Sequence, residues 1–112
     1  MSEKCVVAQI KEAYGDGMGM VDWKADEAFS PDRWAELMHL ALPEGGYNYF
    51  NVDAVHAWLG SHKVTLEPAR EGSVAVYVHG PREVCERIRK EAEERGVDEA
   101  HHEMGCLRLW WD

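Results

Sequence analysis

Within six residues, His101-His102-Glu103-Met104-Gly105-Cys106 offers imidazole, carboxylate and thiol, three side-chain types that ligate transition metals. The spacing matches no standard zinc pattern, so a solvated loop leading into a strand is the plainer reading. A small-ligand or metal-binding α+β domain using His101, His102 and Cys106 is kept as the alternative. The three cysteines, Cys5, Cys85 and Cys106, are an odd number, which argues against a disulfide framework and fits buried thiols in a reducing compartment. Cys85 falls on the inward face of a helix and reads as packing rather than as a nucleophile. Were the first and last strands antiparallel neighbours, Cys5 and Cys106 would start at opposite ends, which disfavours a site shared between them. Gly15-Asp16-Gly17-Met18-Gly19 is glycine-rich, but it opens no clear helix and puts Asp16 where a phosphate needs positive charge, so it reads as a turn. With no G-x-S-x-G, H-E-x-x-H or phosphate-loop pattern, the chain reads as a non-enzyme with no catalytic residues, cofactor or resident metal.

Charge is the stronger signal. Acidic residues number 21 against 12 basic ones, a net charge of −9, and such a chain is repelled by nucleic-acid phosphates. Residues 12–62 hold nine acids against only Lys24 and Arg33, so most of the excess lies there. The same stretch holds eight of the eleven aromatics. Asp16, Asp22, Asp26, Glu27, Asp32 and Glu36 would present carboxylates along one side, as phosphates lie along a nucleic acid. Tyr47, Tyr49 and Phe50, on a glycine-flanked loop, would supply aromatic anchors. The expected partner is a protein with a basic, nucleic-acid-binding surface. The competing reading buries Phe29, Trp34, Phe50 and Trp58 in the core and assigns the acids to solubility or to a salty cytoplasm. In size, charge and lack of catalytic motifs the chain resembles, as a class, the small acidic inhibitors of phages and mobile elements, anti-CRISPR proteins among them. The resemblance rests on no residue-level signature and implies a nucleic-acid-mimicking, anti-defence inhibitor.

The elements that would position these residues follow from pattern. At 112 residues the chain is expected to form a single domain, 1–112, and no apolar run approaches the roughly 20 residues needed to cross a bilayer. Its start does not read as a signal peptide, so the expected compartment is the cytoplasm. Strands are expected at Cys5–Ile10, at Met20–Trp23 as an edge, at Lys63–Leu66 and Ser73–His79 joined by a six-residue loop, and at Cys106–Trp111. Helices are expected from Ser30 to about Leu42, from about Val52 to Leu59, and over Pro81–Arg95, the last with a solvated outer face of i+4 ion pairs. This order resembles the ferredoxin-like split βαβ sandwich, an antiparallel sheet with helices on one face, with an enlarged, partly helical connection after strand 1. An exposed edge at Lys63–Leu66 or Trp110-Trp111 would allow a homodimer.

Overall fold

The structure, a computed structural model, describes residues 3–14, 22–42, 46–47, 50–103 and 105–111. In chain order the elements are α1 (Glu3–Tyr14), β1 (Trp23–Lys24), α2 (Pro31–Ala41), β2 (Gly46–Tyr47), β3 (Phe50–Asn51), α3 (Val52–Leu59), β4 (Thr65–Arg70), β5 (Val74–His79), α4 (Arg82–Ala92), β6 (Glu99–Glu103) and β7 (Cys106–Trp111). Five strands form one antiparallel sheet in the order β1-β4-β5-β7-β6, and β2 pairs with β3 in a two-residue ribbon. The fold is α+β. None of the described helices is long and apolar enough to cross a membrane.

Strand alternation sorts the side chains onto two faces. Val78 lies between Leu66 and Leu107, Val76 opposite Leu109, and Val74 opposite Trp111. These apolar positions join Val6 and Ile10 of α1, Trp34 and Leu37 of α2, Val55 and Leu59 of α3 and Ile88 of α4 in one core, so all four helices cover the same face. The other face carries a smaller cluster of Ala69, Ala75 and Tyr77, with Cys106 and Trp110 packed against it. There Glu71 accepts hydrogen bonds from Arg108 and Tyr77, and Lys24 of β1 sits 4.2 Å from the Tyr77 ring centroid. Burial alone raises the Glu71 carboxyl, but these two bonds outweigh it and hold the group below its ordinary range.

The expected first strand, Cys5–Ile10, is part of helix α1. Val6, Ile10 and Tyr14 recur at a spacing of four and are all buried, so the helical repeat prevails over the β preference of the Val6-Val7 pair. The N-terminal half therefore opens on a helix where the ferredoxin-like order puts a strand. Cys5 belongs to that helix, which removes the premise that compared its strand with that of Cys106. The expected Gly15–Gly19 turn and the start of the Met20–Trp23 strand lie outside the described residues; β1 retains only Trp23 and Lys24, at a sheet edge as expected.

The hairpin loop is shorter than expected, because β4 continues through Pro68 to Arg70 and leaves residues 71–73 as the turn. Ala25 N–H donates to the Pro68 carbonyl at 3.0 Å. Proline has no N–H to return the bond, and the ladder to β1 ends there. Both proposed dimer edges are also corrected. Leu66 bridges to Phe29, and β7, with Trp110 and Trp111, is an interior strand between β5 and β6. Finally, Glu99–Glu103 forms the edge strand β6 where a solvated loop was expected.

Candidate protein-binding surface

Helix α2 begins where its sequence says it should. The Ser30 hydroxyl accepts from the Arg33 amide at 3.1 Å, Pro31 occupies the first turn, and Asp32 favours the positive end of the peptide dipoles. That start fixes the rotation of the helix. Trp34, Ala35, Leu37, Met38 and Ala41 are buried, while Asp32, Glu36 and Leu40, each one turn apart, face outward. The Asp32 side chain is 86% exposed and that of Glu36 63%. Leu40, at 59%, is the one large apolar side chain exposed among the described residues.

Helix α3 is capped by Asn51, whose side-chain oxygen accepts from the Ala54 amide at 2.9 Å. It buries Val52, Val55, Trp58 and Leu59 and turns Asp53 out, 77% exposed. The two helices are joined reciprocally. His39 of α2 lies 2.7 Å from the Asp53 carboxylate, and His56 of α3 lies 2.7 Å from that of Asp32. These contacts hold two of the three carboxylates at defined positions. Arg33 bonds Glu36 at 2.8 Å and is the fixed cation of the group.

The structure distributes the expected surface residues unevenly. Asp32 and Glu36 lie together on α2, beside Asp53, which sequence reasoning missed. Asp22 and Asp26 are exposed on either side of β1, and Glu27 is half-buried. Asp26 has φ 57°, and its amide donates to the buried Glu67 carboxylate at 2.7 Å, so its backbone serves the sheet while its side chain faces out. Asp16 and Tyr49 lie outside the described residues, and of Tyr47 only the backbone is described.

Phe50 is a correction, because it is not an exposed anchor. It is 2% exposed and packs edge-on between Trp34, at 6.1 Å between centroids, and Trp111, at 5.1 Å. Those contacts add about 0.5–1.5 kcal/mol each beyond the area they bury. What sequence reasoning passed over was Leu40, one turn beyond the outward row of Asp32 and Glu36. The pairing of His39 with Asp53 and His56 with Asp32 depends on how two helices meet and has no sequence signature.

The His101–Cys106 cluster is divided by the pleat of β6. His101 is exposed and 3.4 Å from Glu99, whereas His102 turns to the helix side and lies 2.6 Å from Glu86 of α4. Among the described residues no three His, Cys, Asp or Glu side chains are arranged to hold a metal ion. The outer face of α4 is also more than solvated. Glu86 is brought down to about 2, chiefly by its bonds from Arg89 and then by His102. Glu91 accepts from Trp58 Nε1 at 2.8 Å and lies 3.1 Å from His62, which ties α4 to the α3 end.

Comparison with family models, curated proteins and solved structures finds no match to this chain.

Proposed function

We propose that this domain is a non-enzymatic, acidic protein-binding module that occupies a basic, nucleic-acid-binding surface of a partner, in the manner of anti-CRISPR and other anti-defence inhibitors that mimic nucleic acid. The observation that supports this most is the outer face of α2 and α3, where Asp32, Glu36 and Asp53 stand largely exposed. Rigid helices hold them, and among the described residues Arg33 is the one Lys or Arg paired with them, so the patch keeps a negative field that attracts a cationic surface. Leu40, next along the stripe, supplies apolar contact area beside the charges. Asp22 and Asp26 extend the acidic character to the β1 edge.

The test is affinity capture from lysate with elution in steps of rising salt, because screening weakens contacts between exposed charges. The reading expects a nucleic-acid-binding protein that is released by salt and displaced by added DNA or RNA. A partner retained through high salt and indifferent to nucleic acid would overturn it.

A further inference from the structure

All six histidines of the chain lie within 3.4 Å of a carboxylate oxygen, and two of them serve the acidic face itself. His39 of α2 reaches Asp53 of α3, and His56 of α3 reaches back to Asp32 of α2, each with Nε2 at 2.7 Å from the carboxylate. An ionised carboxylate only accepts, so each Nε2 carries the hydrogen and donates it. A further proton is therefore taken up at Nδ1, and that step breaks neither contact. Both imidazoles are half-buried beside carboxylates that are 77% and 86% exposed, so solvent supplies the proton directly.

We infer that His39 and His56 are a proton gate on the acidic face of α2 and α3, open to a cationic partner when both imidazoles are neutral and closed when both are protonated. The gate rests on the binding role proposed for that face and adds its regulation. Charge decides it. Asp32, Glu36 and Asp53 against Arg33 leave two negative charges, and two protons cancel both. Each new positive charge appears as close to its carboxylate as Arg33 is to Glu36, so the field is removed where it arises. Imidazole ordinarily titrates near pH 6.5, between a neutral and a mildly acidic compartment. The other elements packed against the two rings bring little charge to compete. Among its described side chains α1 carries Lys11 and Glu12, both exposed and opposite in sign. On β4, Glu67 lies on the other face of the sheet, and Arg70 is buried and turned to the Ala13 carbonyl and the Tyr14 ring. Strand β3 holds only Phe50 and Asn51. The remaining four histidines pair with Glu67, Glu86, Glu91 and Glu99, none of which is on α2 or α3, so a change at His39 and His56 isolates the gate.

Its test is the affinity for a fluorescent oligoarginine peptide, read by anisotropy at low salt at about pH 7.8 and about pH 5.8, on either side of the ordinary imidazole value. Arginine keeps its charge throughout, and thermal melts establish that every protein is folded at both values. The parent should bind at least about tenfold more weakly at the lower pH. In His39→Gln/His56→Gln the amides still donate to Asp53 and Asp32 but take up no proton, and the loss should be no more than about threefold. Equal losses in parent and variant would overturn the gate alone. Asp32→Asn/Glu36→Gln/Asp53→Asn separates the two claims, and should bind more weakly than the parent at the higher pH and show the smaller loss. Binding equal to that of the parent at the higher pH would overturn the role of the face, and the gate with it.

Discussion

Phe50 fills the space between Trp34 and Trp111, so alanine at this position empties the centre of the core. The expected cost is about 3–5 kcal/mol, read as a lower urea midpoint with an unchanged slope. A loss below about 0.5 kcal/mol is what an exposed side chain gives and would contradict the burial described. The residue type alone did not settle this. Tyr47, Tyr49 and Phe50 are three aromatics in four residues of a glycine-flanked segment, and whether one turns inward depends on what faces it. Trp34 and Trp111, far away in the chain, decide it for Phe50. Asp32 and Glu36, by contrast, were legible as outward residues, because the apolar repeat of α2 leaves them only that side.

At the scale of elements, presentation of the acidic stripe depends on the start of α2. Removing the Ser30 hydroxyl by Ser30→Ala leaves the Arg33 amide without its acceptor and should cost about 1 kcal/mol of stability in thermal or urea unfolding. No measurable change would mean that the cap does not set the helix. The seams of α4 make a pH prediction. The Glu91 carboxyl is held below its ordinary range first by the Trp58 N–H, then by His62 and the charge of Arg95, with burial opposing. A carboxyl depressed in the folded state contributes stability that is complete above the unfolded value of about 4.3 and is lost as pH falls through the folded value. Glu71 and Glu86 act in the same direction. The urea midpoint should therefore decline as pH drops below about 5, and Glu91→Gln should lower the midpoint at neutral pH and lessen that decline. An acid profile identical in variant and parent would contradict the seam. Helices α2, α3 and α4 were legible because breakers and the 3.6 repeat agree in each, and Ser30 adds a side-chain cap to α2. Helix α1 was not, since Val6-Val7 looks like strand when its Tyr14 partner is left out of the window. Strand β6 was not either: of Glu99–Glu103 only Ala100 is apolar, and the strand exists because β7 offers it a free edge.

For the whole molecule, four helices on one face of an antiparallel sheet leave the outer side of α2 and α3 as a firm platform for like charges. The net charge of −9 was plain in the sequence, as was its concentration in residues 12–62. Which carboxylates would share that face was not, because Asp53 is brought to α2 only by its contact with His39, through the packing of two helices. The measurement that bears most directly on the central claim is the affinity of the captured partner for the parent protein and for the Asp32→Lys/Glu36→Lys variant, each titrated across a range of salt. Both side chains are exposed, so the variant should melt within a few degrees of the parent. The account predicts a folded variant with at least about tenfold weaker binding and a shallower salt dependence, as follows when two contacts between opposite charges become repulsive. Equal affinity and an equal salt slope for variant and parent would contradict the claim that this face of α2 and α3 meets the partner.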